Sequence, residues 1–137
     1  MYLLDTNVVS ELRRVKPHGA VLAWIHSVRS DDLAISAITI GEIQRGIELT
    51  GETDPQKAKE LMRWLDSLQL GIRVIPLDAE CMIRWAQFMH RKSPTLIADA
   101  MIAATASVHN LTIVTRDIVD FSAFPAAVLN PFDYKSP

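Results

Sequence analysis

This sequence is short of the residue types on which several classes of protein depend. Its single cysteine, Cys81, excludes an internal disulfide and a zinc-finger type of metal site, and it favours a reducing compartment. Its 4 histidines are scattered, without the paired spacing of a metal site or of a mechanism built on two histidines. With 14 basic against 16 acidic residues, it lacks the positive excess of proteins that bind nucleic acid tightly without sequence preference.

The chain also lacks a long apolar run. Its most apolar window, residues 94–108, contains Asp99 and falls short of a membrane span. No basic N-terminal region precedes an apolar stretch, so no signal peptide is visible and we expect a cytoplasmic protein without a membrane partner. Apolar residues make up 49% and charged residues 22% of the 137 positions, which predicts a globular protein with one domain over residues 1–137.

Short strand signals alternate with helix signals along the chain. Strands are predicted at residues 2–4, 33–36, 72–75, 112–115 and 127–129. Helices are predicted at 8–14, 17–28, 39–49, from Asp54 to Gly71, from Asp78 to His90 and at 95–109, with Asn110 as the C-terminal cap. This alternation is typical of an α/β protein with a parallel sheet, in which ligands bind beyond the carboxyl ends of the strands.

Acidic side chains occur at those strand ends and in the neighbouring helices. Asp5 directly follows the first strand, and the segment TRDIVDF places Asp117 and Asp120 after the fourth. Asp99 is the only charged residue in LIADAMIAATASV, a helix that is apolar nearly all round. Such a helix is normally buried, where an unpaired carboxylate becomes neutral or finds a partner.

Each of these acids also has a purely structural interpretation. Asp5 could cap the helix that begins near Val8, and Glu42 could be the N3 residue of a capping box that starts at Thr39. Asp99 could be neutral or paired with an arginine, and one of the last two acids could cap a turn or a helix.

Together the acids indicate a cation site. Four carboxylates spaced about 6 Å apart repel by roughly 3 kcal/mol per pair at an effective dielectric constant of about 20. No lysine or histidine recurs beside all of them, so either most are protonated or a cation neutralises them. Oxygen ligands favour Mg²⁺ or Mn²⁺, which assist hydrolysis of phosphodiester bonds. We therefore interpret Asp5 as a metal ligand.

The full set of motifs resembles the PIN-domain family, and within it the toxin ribonucleases of the VapC and FitB type. The motifs are LLDTNVVSE around Asp5, ISAITIGEI around Glu42, IADAMIAATA around Asp99 and IVTRDIVDF around Asp117 and Asp120. They occur in this order from residue 2 to residue 121. The resemblance implies a three-layer α/β/α sandwich with a central parallel sheet, and a metal-dependent endoribonuclease that uses Mg²⁺ or Mn²⁺.

The resemblance also assigns roles to single residues. Asp5, Glu42, Asp99 and Asp120 match the catalytic acids that bind the metal, and Asp117, at a position that is often Asn or Asp in the family, is a further candidate metal ligand. The small polar residues that support the acids by hydrogen bonds are matched by Thr6, Asn7 and Thr115.

The resemblance further implies a cognate antitoxin, an RNA substrate and a homodimer, with operator DNA bound only through the antitoxin. For phosphate contacts we consider seven basic residues, of which Arg13, Arg45 and Arg116 are assigned to RNA; the others are Arg14, Lys16, Arg91 and Lys92.

The sequence also allows other interpretations of the acid-containing motifs. A haloacid-dehalogenase type of phosphatase also has a nucleophile after its first strand, but Asn7 replaces the general acid of that motif. A receiver domain would need an acidic pair near the N-terminus and an aspartate after a middle strand, which the chain does not clearly supply. A catalytically inactive PIN domain that binds RNA or protein, and a stand-alone DNA or RNA nuclease, are the remaining alternatives.

Overall fold

The computed structural model describes residues 1–137 and has a five-stranded sheet in which neighbouring strands are all parallel. The strands are β1 (Tyr2–Leu4), β2 (Leu33–Ser36), β3 (Arg73–Ile75), β4 (Thr112–Val114) and β5 (Val128–Leu129), in the spatial order β3-β2-β1-β4-β5. In the register of the sheet, Leu3 on β1 lies between Ala34 on β2 and Ile113 on β4. The predicted parallel sheet is confirmed, and every predicted strand is present to within about one residue at each end.

Seven α-helices connect or flank the strands. They are α1 (Thr6–Leu12), α2 (Gly19–Ser27), α3 (Ala37–Gly51), α4 (Pro55–Gly71), α5 (Ala79–Met89), α6 (Ile97–His109) and α7 (Ile118–Phe121). The predicted caps are confirmed: Asp54 and Asp78 cap α4 and α5 with their side chains, and Asn110 ends α6 in the left-handed conformation with φ of 55°. The pattern did not predict the short helix α7, because four residues are too few to show a helical period.

Helix α3 starts before the predicted residue 39, and its first turn excludes the alternative interpretation of Glu42 as a capping-box residue. Ser36, the last residue of β2, is the N-cap, and its hydroxyl accepts a hydrogen bond from the backbone N–H of Ile38 at 3.2 Å. The helix begins earlier than predicted because the strand runs directly into it. Thr39 therefore lies inside the first turn and Glu42 in the second, so Glu42 is not a capping residue.

The sheet separates two apolar layers. Leu3 and Ile113 point to one face, where they pack with residues of α5, α6 and α7. Leu4 and Val114 point to the other face and pack with residues of α1, α2, α3 and α4. Successive residues of a strand alternate between faces, so both faces of a buried parallel sheet need apolar residues. The predicted three-layer α/β/α sandwich is confirmed. None of the helices combines the length and the apolar character that crossing a bilayer requires.

Candidate functional site

The order in which the chain adds strands to the sheet reverses at β1. Strands β2 and β3 lie on one side of it, and β4 and β5 lie on the other. Asp5 follows β1 and Thr115 follows β4, so the two residues are neighbours at the carboxyl edge of the sheet. The backbone N–H of Asp5 donates to the carbonyl of Val114 at 2.9 Å, which extends the ladder to this point. In open α/β sheets, this kind of switch point is where ligands bind.

Asp5 is held by three donors in the interior of the protein. Its side chain is buried, and Oδ1 accepts from the backbone N–H of Thr6 at 2.8 Å, so Asp5 also caps α1. Its Oδ2 accepts from the hydroxyl of Thr115 at 2.7 Å and from the amide of Asn7 at 3.2 Å. Burial raises the pKa of Asp5, the bonds from Thr115 and Thr6 oppose this, and the nearby charges of Glu42 and Asp117 raise the pKa further.

Asn7 and Thr115 connect Asp5 to the segment after β4. The Asn7 side-chain amide, which already donates to Asp5, also donates to Asp117 Oδ2 at 3.0 Å. The backbone N–H of Asp117 donates to the Thr115 hydroxyl at 2.9 Å, and the Asp117 side chain makes no capping bond to α7. Two segments about 110 residues apart in sequence are thus tied together by polar contacts.

Glu42 reaches the same edge from α3. The Thr6 hydroxyl donates to Glu42 Oε1 at 2.7 Å, and the Thr39 hydroxyl lies 3.1 Å from that of Thr6. A threonine hydroxyl has one proton and an ionised carboxylate has none, so the Thr6 proton goes to Glu42. Thr39 is then the donor to Thr6. Sequence reasoning considered Thr39 as a helix cap, whereas in the structure its hydroxyl contacts that of Thr6, which in turn bonds Glu42.

The pKa of Asp99 is affected by the charges of all the other predicted acids. It lies half-buried in the first turn of α6, and burial is the largest cause of a pKa raised to about 6. The negative charges of Asp5, Asp120, Asp117 and Glu42 contribute to the same shift, in that order. No hydrogen bond stabilises the ionised form of Asp99. The five acids named from the sequence therefore share one electrostatic environment.

None of these five carboxylates has a cationic partner in the chain. The ion pairs of the structure involve other acids, namely Glu11, Asp31 and Glu60. The structure has no group of three or more Asp, Glu, His or Cys side chains already arranged around one point as metal ligands. The donor chemistry still fits a hard divalent cation, because the side chains that converge are carboxylates and the buried Asp5 lacks a neutralising charge.

Two of the three arginines assigned to RNA lie beside the acids. Arg13 lines a groove together with Thr6 and Glu42, and its guanidinium stands over the ring of Trp64 at 5.8 Å. The backbone N–H of Arg116 donates to Asn7 Oδ1 at 3.4 Å. Arg45 is exposed on α3 three residues after Glu42 and makes no ion pair.

Sequence reasoning missed one further acid near the site. Glu11 is buried on α1 and pairs with Arg14 and Arg116. The sequence did contain a signal for Glu11. It follows Val8 by three residues, so the two lie on the same face of α1, and Glu11 is a charge on an apolar helix face, as Asp99 is in α6. No sequence signal indicated that Phe132, far along the chain, packs against Arg116.

Comparison with known proteins places this architecture in a family. The family model described as PIN domain matches residues 2–126. This range covers most of the chain and includes all five acids and the sheet edge on which they lie. The chain belongs to the PIN-domain family.

Two curated relatives and one solved structure align along nearly the full length. Toxin FitB of Neisseria gonorrhoeae is 38% identical over 140 residues, covering 96% of this chain and 99% of that protein. The VapC ribonuclease Y4jK of Sinorhizobium fredii is 34% identical, with 97% and 99% covered. A structure described as FitAB bound to an IR36 DNA fragment superposes with a TM-score of 0.84 at 35% identity, covering 99% of both chains.

Proposed function

We propose that this chain is the single-domain toxin of a type II toxin–antitoxin pair and cleaves RNA with the help of Mg²⁺ or Mn²⁺. The observation that carries the proposal is the environment of Asp99, where burial and the charges of four other carboxylates raise the pKa to about 6 and no cation of the chain compensates these acids. Strongly perturbed acids in one pocket are typical of functional sites. The names of the relatives, a toxin and a ribonuclease, support both halves of the proposal.

In the proposed site one set of residues binds the cation, and a second set orients the first by hydrogen bonds. Asp5, Glu42, Asp99 and Asp120 would hold the ion, and Asp117 would assist. A bound divalent cation supplies charge to the phosphate oxygens and lowers the pKa of the attacking water. Thr115 and Asn7 keep Asp5 oriented by donating to it, and Thr6 does the same for Glu42. These bonds fix the acids before the substrate arrives, which avoids reorganisation during the reaction.

The reaction we propose is hydrolysis by direct attack of water on phosphorus. The P–O3′ bond breaks, the 3′-oxygen leaves with a proton, and the products are a 5′-phosphate and a 3′-hydroxyl. No covalent intermediate with the protein is needed. The carboxylates do not by themselves distinguish a 2′-hydroxyl from a hydrogen, so the preference for RNA rests on the ribonuclease relatives.

We propose that the chain pairs with an antitoxin and forms a homodimer in the cytoplasm. The solved relative described as FitAB bound to a DNA fragment supports a complex in which the antitoxin contacts operator DNA. A small open reading frame beside the gene, with a DNA-binding N-terminal half, is the expected source of this partner. Its purified product should inhibit cleavage, and sedimentation of the toxin alone measures the dimer.

Cleavage of a pool of mixed-sequence single-stranded RNA tests the activity. The purified protein is incubated with Mg²⁺, with Mn²⁺ or with EDTA, and the fragments are mapped for 5′-phosphate ends. We expect cleavage with either metal, none with EDTA, and loss of at least about 100-fold in Asp99→Asn or Asp5→Asn. The matched control is Asp66→Asn, an exposed aspartate on α4, which should cleave like the wild type.

The alternatives give different results in the same assay. Cleavage that persists unchanged in Asp99→Asn contradicts the proposed site. RNA binding without cleavage under any metal identifies an inactive PIN domain that acts as a binding module. Equal cleavage of a DNA pool, with no inhibition by a neighbouring gene product, identifies a stand-alone nuclease instead of a toxin.

A further inference from the structure

Glu11 is a buried carboxylate outside the acid cluster, and it has two arginine neighbours. It lies on α1 and only 6% of the residue is exposed. Arg14 Nη1 is 3.4 Å from Glu11 Oε2, and Arg116 Nη2 is 3.9 Å from Oε1. Neither contact fully satisfies the acid, because Oε2 is buried and receives no hydrogen bond. Keeping an incompletely bonded carboxylate inside a protein is costly, which calls for a reason.

Arg116 is held on several sides. Its guanidinium carbon lies 3.8 Å from the centroid of the Phe132 ring, and its backbone N–H donates to Asn7 Oδ1. Its side chain remains 56% exposed and that of Arg14 remains 67% exposed. A guanidinium carries several N–H donors in a fixed plane, so both arginines keep donors that face solvent.

These residues surround an open cleft of about 380 Å³ beside the acid cluster. The cleft is lined by Asn7, Ser10, Glu11, Arg13, Arg14, Arg116 and Phe132. Asn7 belongs to both places, since the same side chain donates to Asp5 and to Asp117. The charge of the cleft is positive, because three arginines outnumber one carboxylate.

We propose that Glu11 is a positioning residue that holds Arg14 and Arg116 in this cleft, where they bind the RNA phosphate next to the scissile one. The inference rests on the proposed function. Because the cleft and the acid cluster share Asn7, the cleft is the adjoining surface on which a neighbouring phosphate of an RNA strand held at the acids would contact the two guanidinium groups. Planar guanidinium donors match the geometry of phosphate oxygens. Glu11 contributes from beneath, where it orders both arginines before RNA binds.

The test measures binding of a fluorescein-labelled, mixed-sequence 20-nucleotide RNA by anisotropy at several salt concentrations. All proteins carry Asp99→Asn, so that cleavage does not interfere. Arg116→Ala and Arg14→Ala should each weaken binding about tenfold, the size of a charge-assisted hydrogen bond, and each should reduce the slope of log K against log salt by about 0.7. Each single change leaves the other arginine beside the buried Glu11, and circular dichroism of every variant establishes that it is folded before binding is measured.

Glu11→Gln distinguishes positioning from simple repulsion. If Glu11 only repels phosphate, removing its charge strengthens binding; if it positions the arginines, Glu11→Gln weakens binding by several-fold. In the Arg14→Ala/Arg116→Ala background, adding Glu11→Gln should change Kd by less than about twofold, because neither of the arginines that pair with Glu11 is left to position. The control is Glu52→Gln, which removes the same charge from an exposed, unpaired residue at the far end of α3 and should change nothing.

Tighter binding by Glu11→Gln overturns the proposal, as does a full effect of that change in the doubly substituted background. Binding of poly-glutamate with the same arginine dependence, in place of RNA, assigns the cleft to an acidic partner protein. In the cleavage assay with otherwise wild-type protein, Glu11→Gln should raise KM by more than it lowers kcat, a split that a loss of folded protein would not produce. Failure of the wild type to cleave refutes the proposed function alone, since the binding series still reports on the cleft.

Discussion

Replacing Asp99 with asparagine should stabilise the metal-free protein while abolishing cleavage. The folded-state pKa of Asp99 is raised from 3.8 to about 6. The folded protein therefore binds more protons than the unfolded chain between these pH values, and its stability falls as pH rises through that interval. Above about pH 6 Asp99 is ionised, and the free-energy cost of its charge to the folded state reaches its maximum. A neutral asparagine of similar shape removes this cost.

The size of the effect follows from the shift. Moving the pKa from 3.8 to about 6 corresponds to roughly 3 kcal/mol at about 1.4 kcal/mol per pH unit. Asp99 is only half-buried, so solvent screening reduces this to about 1–2 kcal/mol. For a chain of this size, that gain raises the melting temperature by roughly 4–8 °C at pH 7.5.

Thermal melting in EDTA at a series of pH values measures this gain. Asp99→Asn should melt above the wild type at pH 7.5, and the difference should disappear near pH 4. Asp66→Asn, exposed on α4, is the control and should stay within about 0.5 kcal/mol of the wild type at both pH values. An Asp99→Asn protein that melts at or below the wild-type temperature at pH 7.5 would refute the electrostatic account of the cluster.

Three further perturbations, one of them with two outcomes, follow from the same structure. Thr115→Val removes the donor to Asp5 Oδ2 and an acceptor for a backbone N–H, so urea unfolding should show a loss of about 1–3 kcal/mol. The same change raises the pKa of Asp5 further, so the acidic limb of the cleavage pH profile should move to higher pH. Mg²⁺ at about 100 times its Kd should stabilise the wild type by about 2.7 kcal/mol, and Asp5→Asn should gain much less in the same melting experiment. Asn110→Ala should cost about 1–2 kcal/mol because φ is 55°, whereas Asn110→Gly should be nearly neutral in the same unfolding assay.

The sequence was sufficient for most features that depend on near neighbours. Alternating strand and helix signals identified the parallel sheet, because both periods are set by backbone geometry and by burial on both faces. The N-caps Asp54 and Asp78 and the C-cap Asn110 were predictable, since a cap is a contact within a few residues. The alternative interpretation of Glu42 as a capping-box residue is wrong, because another N-cap, Ser36, lies three residues before Thr39 at the end of a strand.

For the site, the sequence identified the acids, and only the tertiary structure brought them together. The strand order sets β1 beside β4, and this alone makes Thr115 a donor to Asp5 across 110 positions of sequence. The pairing of Glu11 with Arg116, and the packing of Phe132 on that arginine, likewise follow from how distant segments cross. The composition of a sequence can indicate that its acids need a cation. Their shared surroundings, which raise the pKa of Asp99, exist only when the chain is folded, because electrostatic coupling depends on distance in space and on burial.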